Sequence, residues 1–323
     1  MDSKRVLIMR LGAIGDLVHT SVIAQAIKLK HPDWQIDFLT EKWYIPLLEN
    51  HPYIDRIISW ESSYKSITGF FEITKQLYKE HYDYFISPTY STRTILLSIL
   101  IFPKKNIFKK NYGGLWVEDY FQMAKKCDKA LEIPKNLVLG INSEIDERIK
   151  NEFKELARPY FVIAPGRVVD NTRQGRLWNI NKWKELASKL LQKYGGTVFT
   201  IGSNGEIESH KKLESENIII KTGKFNLDET KSFLAKADLM ISGDTGPAHI
   251  ASALDIKTLA LLGSTSPEQI KPYGDKGYYI SADYDCLYCW NKRCKRMKEN
   301  DIYSPCMEAL TVDKVMKKIE EIF

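Results

Sequence analysis

The sequence predicts an α/β fold made of two successive, doubly wound halves, and three observations carry that prediction. Short apolar runs alternate with segments whose apolar residues recur at helical spacing, the pattern of βαβ repetition. The alternation restarts after a charged stretch at residues 146–158, which ends at Pro159. Each half also places an aspartate in a short polar turn directly after a strand: Gly12 to Asp16 in the first, Ser242 to His249 in the second. A chain of 323 residues is long enough for two domains of ordinary size, here residues 1–157 and 158–323. Parallel sheets with helices on both faces follow, with a ligand cleft expected between the two facing domains.

Residues 5–9 (Arg-Val-Leu-Ile-Met) read as a buried first strand. Leu17, Val18, Ile23, Ala24 and Ile27 then fall at helical spacing, and His31-Pro32 ends that helix. Further strands are expected at 35–39, 56–60 and 84–87, with a short helix at 44–48 and a longer one at 70–81. In the second half the apolar runs at 160–164, 197–201, 217–221, 239–242 and 258–262 read as strands. Helices are expected over 181–194, closed by Gly195-Gly196, and over 249–254. The closing segment, 312–322, is an amphipathic helix expected to pack back on the body, with the first domain as one possible seat.

Composition narrows the function classes. An apolar fraction of 44% and a charged fraction of 27% are those of an ordinary globular protein and not of a disordered one. A net charge of +6 suits an anionic ligand or membrane surface, and no nucleic-acid-binding pattern accompanies it, so nucleic acid is set aside. No signal-peptide pattern precedes the first strand, and the longest apolar run, residues 94–103, is too short to cross a bilayer. Five cysteines without such a signal argue for a reducing, cytoplasmic setting.

Ser242-Gly243-Asp244-Thr245-Gly246-Pro247-Ala248-His249 joins a strand to a helix, with proline where a missing N–H costs nothing. Two readings are open. Asp and Thr are ordinary helix caps, and the turn is then only structural. Alternatively, the helix amides and dipole face a ligand at the strand ends and favour a phosphate. The turn Gly12-Ala13-Ile14-Gly15-Asp16 lacks the G-x-G pair of a dinucleotide fingerprint. Asp16 is either its helix N-cap or a base at the mouth of the cleft, where the helix terminus should keep it ionised.

Cys286-x2-Cys289-x4-Cys294-x11-Cys306 has the count and the CxxC start of a tetrahedral zinc or iron site of structural type. The basic neighbours Lys292, Arg293, Lys295 and Arg296 favour thiolates. The alternative is a loop of reduced or partly bridged cysteines. Cys127 stands alone. Lys104, Lys105, Lys109 and Lys110, after the apolar run, are either a solvated face or a face for an anionic membrane or phosphorylated acceptor.

Together these stretches resemble the glycosyltransferase family that includes the ADP-heptose:lipopolysaccharide heptosyltransferases. The resemblance rests on residues 5–16 with His19-Thr20, on Pro165-Gly166, on Arg176-Leu177-Trp178 before Trp183, on Asp244 to His249, and on the cysteine tail. It implies the GT-B fold, two facing Rossmann-like domains, with the acceptor in the first and the sugar nucleotide in the second. It further implies an inverting transfer of heptose from ADP-heptose to a lipopolysaccharide inner-core acceptor (a Kdo or heptose hydroxyl), with no cofactor required for catalysis. Asp16 would be the base, in the turn made by Gly12 and Gly15. The amides around Thr245 and Gly246 would hold the departing diphosphate, Asp244 would contact sugar hydroxyls, and His249, beyond Pro247, would orient the turn or the phosphate. Arg176 stands where the family usually has lysine, and Arg10 and Glu206 are weaker candidates for phosphate and for ribose or base. Arg167 and Arg173 add positive charge to the loop before Arg176. The implied partners are ADP-heptose and a lipid-A-linked core oligosaccharide, met at the cytoplasmic face of the inner membrane. Another nucleotide-sugar donor, a protein acceptor, or a non-catalytic sugar-nucleotide-binding protein are the alternatives.

Overall fold

The computed structural model describes residues 3–61, 66–109, 113–166, 176–290, 294–298 and 301–323. The chain divides into two compact units, Met1–Gly140 and Ile141–Phe323. Lys110, Arg167, Arg173, Lys292 and Arg293 lie outside the described residues.

The first unit runs β1 (Arg5–Met9), α1 (Ile14–Lys30), β2 (Gln35–Glu41), α2 (Ile45–Leu48), β3 (Arg56–Trp60), α3 (Ile67–Tyr78), β4 (Tyr84–Ser87), α4 (Thr92–Leu100), β5 (Lys105–Phe108) and α5 (Trp116–Ala124). Its sheet has the order β3-β2-β1-β4-β5, with every pairing parallel. Helix α1 is buried from Leu17 through Ile27, because α5 packs along it as well as the sheet. An apolar stripe on one face would leave the other wet; here both faces are covered.

At the amino-terminal ends of these strands sits a buried charge. Asp37 accepts hydrogen bonds from Arg56 Nε at 3.2 Å and Nη2 at 2.5 Å and from the Tyr82 hydroxyl at 2.6 Å, and its side chain is fully buried. A carboxylate taken out of water this completely requires such partners. The same pair of arginines, Arg56 and Arg5, holds Glu80 below the usual carboxylate range. This network lies at the end of the sheet away from the β1–α1 turn and braces the fold.

The second unit runs α6 (Ser143–Lys150), β6 (Tyr160–Ala164), α7 (Ile180–Tyr194), β7 (Thr197–Thr200), α8 (Ile207–His210), β8 (Ile218–Ile220), α9 (Leu227–Leu234), β9 (Leu239–Gly243), α10 (Gly246–Ala253), β10 (Thr258–Leu261), α11 (Pro267–Ile270), β11 (Gly277–Ile280), α12 (Pro305–Ala309) and α13 (Val312–Ile322). The sheet order is β11-β10-β9-β6-β7-β8, again parallel throughout. The expected α/β class with two doubly wound sheets is what the chain adopts.

Residues 141–157, placed by the sequence at the end of the first half, group with the second unit. Asp146 pairs with Lys236 at 2.5 Å, Arg148 pairs with Glu229, and the Phe153 ring lies 4.8 Å from that of Phe233. Helix α13 likewise builds into the second unit, packing on α7. Val315, Met316 and Ile319 join the core there, and the Phe323 ring meets Phe161 at 5.2 Å and Tyr194 at 5.3 Å. Helices α4 and α5 and strands β5 and β11 were not anticipated. Only Ile107 of β5 is buried, so that strand has no apolar run to betray it.

In each sheet the chain moves outward from its first strand to one side and then returns to the other side of it. The reversal falls between β1 and β4 in the first unit and between β6 and β9 in the second. The crevice outside the carboxyl ends of such a strand pair is where open α/β sheets bind ligands. Both aspartate turns sit there.

Candidate active site

In the first unit the turn after β1 delivers Asp16 into the opening turn of α1. The N-cap of that helix is Ala13, so Asp16 is not the cap that one reading made it. Its carboxylate is held by Arg10. Arg10 Nη2 forms an ion pair with Asp16 Oδ2, and Arg10 Nη1 donates to Thr89 Oγ1 at 3.0 Å, tying the turn after β1 to the loop after β4. Tyr120 of α5 is buried nearby, and that burial, aided by the Asp16 charge, pushes the phenol well above its ordinary range. Tyr120 therefore stays a protonated donor.

Beside this pair lies a pocket of about 230 Å³ lined by Arg10, Leu11, Gly12, Ser87, Thr89 and Ser91, among others. Gly12 packs closely here: an added Cβ would sit 3.2 Å from the Tyr44 ring, which would have to shift to admit it. Ser91 caps α4 by accepting from the Thr94 N–H at 3.2 Å, which sets the first turn of α4 against the pocket. A small polar pocket beside an oriented carboxylate can seat a hydroxyl and remove its proton.

In the second unit the turn after β9 holds Asp244 and Thr245. Thr245 is the N-cap of α10 by backbone, yet its hydroxyl is bound to Ser242 Oγ at 2.6 Å and does not cap the helix. The first amides of α10 are thus left without a capping side chain, the condition under which a helix N-terminus receives an anion. Pro247 is the second residue of the helix and His249 is buried within it. Asp244 Oδ2 pairs with Arg176 Nη1 at 2.9 Å. The Arg176 guanidinium in turn lies 5.8 Å from the Trp290 ring centre. Trp290 is held there through its backbone N–H, which donates to the Ser264 carbonyl at 2.8 Å beyond β10.

The turn after β6 contributes Gly166, whose φ of +86° favours glycine and whose Cβ would lie 3.2 Å from Leu177. Behind it stands His210, fully buried, with Nδ1 at 2.7 Å from Thr222 Oγ1 and Nε2 at 3.4 Å from the Gly166 carbonyl. Burial, partly opposed by the Glu206 carboxylate, holds the His210 pKa below the usual histidine range. Glu206 itself closes a capping box with Ser203, accepting from the Ser203 N–H and, at 2.8 Å, from its hydroxyl.

His210 is neutral in the fold at pH 7 and would bind a proton more readily when unfolded. The stability it confers is fully present above the ordinary histidine value of about 6.5 and is lost as pH falls toward its lower folded value. The difference in melting temperature between wild type and His210→Asn should therefore be widest at pH 7 to 8 and narrow toward about pH 5. A difference that is flat with pH would mean that the histidine does not titrate in the fold.

The structure thus brings Asp16 and Arg10 together in one unit, and Arg176, Asp244, Thr245 and Gly246 together in the other. Arg10 is paired with Asp16. Glu206 is committed to its capping box. Thr89, Tyr120, His210 and Trp290 are additions that motif reading missed.

The cysteines are free: Cys294 and Cys306 are buried, Cys286 half-buried and Cys289 exposed. Burial raises the Cys286 and Cys306 thiols, outweighing the nearby Arg296 in the case of Cys286, so the basic surroundings do not favour thiolates there. Among the described residues, no group of three or more His, Cys, Asp or Glu side chains is placed to hold a metal ion. Cys127 is desolvated, with its thiol pushed up to about 12.

The family model described as glycosyltransferase family 9 (heptosyltransferase) matches residues 73–299. Lipopolysaccharide heptosyltransferase 1 of Pseudomonas aeruginosa is 23% identical over 316 residues, spanning 90% of this chain and 87% of that protein. Among solved structures, ADP-heptose lps heptosyltransferase II of E. coli superposes with a TM-score of 0.78 at 19% identity, covering 98% of each chain. E. coli heptosyltransferase WaaC with ADP superposes with a TM-score of 0.70 at 21% identity, covering 99% of this chain and 100% of that one. The shared architecture is the GT-B fold.

Proposed function

The chain belongs to glycosyltransferase family 9, the heptosyltransferases, and is an enzyme of that class; we propose that it transfers heptose from ADP-heptose to a hydroxyl of a lipopolysaccharide inner-core acceptor, with inversion. The observation that supports this most directly is the division of labour between the two strand-end turns. One presents a carboxylate oriented by Arg10, and the other presents an uncapped helix terminus beside a guanidinium.

In this reading the acceptor hydroxyl lies in the pocket after β1 and gives its proton to Asp16 as its oxygen attacks the anomeric carbon. The bond from that carbon to the diphosphate breaks on the opposite face, and ADP leaves with the bonding pair. Charge gathers on the leaving phosphate, where the α10 amides around Thr245 and Gly246 and the Arg176 guanidinium stabilise it. Asp244, already paired with Arg176, is placed for donor sugar hydroxyls, and His249 supports the turn from inside α10. No step in this scheme draws on a cofactor. The acceptor is lipid-A-linked, and the work is done at the cytoplasmic face of the inner membrane.

The test is product mass. Incubation with ADP-heptose and a set of truncated core acceptors should add one heptose to one of them, and other nucleotide sugars should give far less product. Efficient transfer from a different nucleotide sugar, with none from ADP-heptose, would overturn the donor assignment.

A further inference from the structure

We propose that the outer face of α3 and α4 in the first unit is a docking surface for an anionic lipid bilayer. Ile67, Phe71 and Tyr78, at i, i+4 and i+11, share one edge of α3, and Lys75 and Lys79 follow next round the helix. On α4, Thr94, Leu97 and Ser98 are buried while Leu96 and Ile99 face outward. The two helices are neighbours, with Phe70, Ile73, Leu77, Leu97 and Ile101 in one core cluster. Their outward ends meet where the Tyr78 and Phe102 rings stand 6.4 Å apart, edge to face.

The exposure is unusual for such side chains. Ile67 is 79% exposed and Phe102 73%, and Phe71, Tyr78, Leu96 and Ile99 are all between 46% and 58%. Scattered exposed apolar residues are ordinary; six on two adjoining helices form a contiguous face. Phe102 adds a second observation. Its φ is +49°, a left-handed conformation that a bulky residue adopts only at a cost, at a helix end where glycine or asparagine would be relaxed. The chain keeps a phenylalanine there and turns it to the surface.

Charge selects the occupant. Lys75, Lys79, Arg93 and Lys104 surround the face, and Lys104 remains 81% exposed while it holds Asp83. Of the acids in this stretch, Glu80 is turned to Arg5 and Arg56 and Asp83 to Lys104, which leaves Glu72 as the exposed carboxylate of α3. An apolar face ringed by lysine and arginine matches the acyl and anionic headgroup layers of a bilayer. Lys109 does not belong to it: its ammonium is turned to Asp119 and lies over the Trp116 and Tyr120 rings.

Helix α4 also supplies Ser91 and Thr94 to the pocket beside Asp16. The helix that meets the bilayer thereby borders the acceptor pocket, as access to a lipid-anchored sugar requires. This last link rests on the proposed acceptor; lipid binding itself does not.

The test uses the full chain in flotation with vesicles of phosphatidylethanolamine and phosphatidylglycerol, against phosphatidylcholine alone. Wild type should bind the anionic vesicles. Phe71→Ser/Ile99→Ser/Phe102→Ser, all exposed positions, should keep its melting temperature and lose binding by more than about tenfold. Lys75→Glu and Lys79→Glu should each weaken anionic binding by about fivefold or more, with an effect that shrinks in high salt. The triple variant should also raise KM for a vesicle-embedded acceptor while leaving kcat with a deacylated, soluble acceptor unchanged. Failure of transfer to every acceptor would count against the proposed function alone, because the vesicle arm stands without it. Wild type that does not float with anionic vesicles, or a triple variant that floats equally well, would overturn the membrane assignment. A dimer in sedimentation that the triple variant dissolves would instead give the face to a second copy of the chain.

Discussion

Asp16→Asn is expected to bind the sugar nucleotide with near-normal affinity and to turn over about a thousandfold more slowly, the range seen when a general base is lost. The substitution keeps the shape and one acceptor oxygen of the side chain. What disappears is the capacity to take a proton from the incoming hydroxyl and the charge that holds Arg10. Isothermal titration with donor should separate binding from chemistry. Arg10 provides the control. It touches Thr89 and Asp16 and so acts by orienting the carboxylate, not by accepting a proton. Arg10→Ala should therefore cost less than Asp16→Asn, and the double variant should be little worse than Asp16→Asn alone, because residues acting as one unit are not additive. A kcat for Asp16→Asn within about tenfold of wild type would remove Asp16 as the base.

The two aspartate turns were legible because their signals are local. A strand, a glycine-containing turn and a helix lie consecutively in sequence, and the parallel βα unit puts their junction at the carboxyl ends of the sheet. Partners arriving from elsewhere in the chain leave no such mark. Thr89 meets Arg10 across 79 residues, and nothing in Ser-Pro-Thr-Tyr-Ser-Thr announces a pocket wall. Trp290 sits one residue beyond Cys289, where the eye goes to the thiols and not to the ring that shelters Arg176. His210 looked like any lone histidine until β8 supplied Thr222 after it and the β6 turn supplied the Gly166 carbonyl.

Two misplacements have the same origin. The segment at 141–157 is charged and reads as a connector, yet its few apolar residues decide where it goes: Phe153 stacks among Tyr160, Phe199 and Phe233. Helix α4 was read only as an apolar run too short to span a bilayer. Its nine residues bury one side on the sheet and expose the other, a pattern that a capped helix explains and a core strand does not.

Arg176→Ala should cost about a hundredfold to a thousandfold in kcat/KM for the donor, comparable to losing one group that stabilises transition-state charge. Two effects combine. The guanidinium that would face the diphosphate is lost, and Asp244, whose side chain is only 11% exposed, loses the partner 2.9 Å away. An unpaired carboxylate would then stand beside the phosphate-binding end of α10 and repel the ligand it helps to place. Adding Asp244→Asn to Arg176→Ala should therefore recover part of the lost donor affinity, although Asp244→Asn alone is harmful. That sign of coupling distinguishes an electrostatic role from a structural one, since two structural defects would not relieve each other. Arg176→Lys should fall between wild type and alanine. Lysine keeps the charge but not the planar fork that meets Asp244 and lies near the Trp290 ring. Wild-type kcat/KM in Arg176→Ala would show that the α10 amides suffice for the leaving group, and the arginine would then serve only to hold the turn.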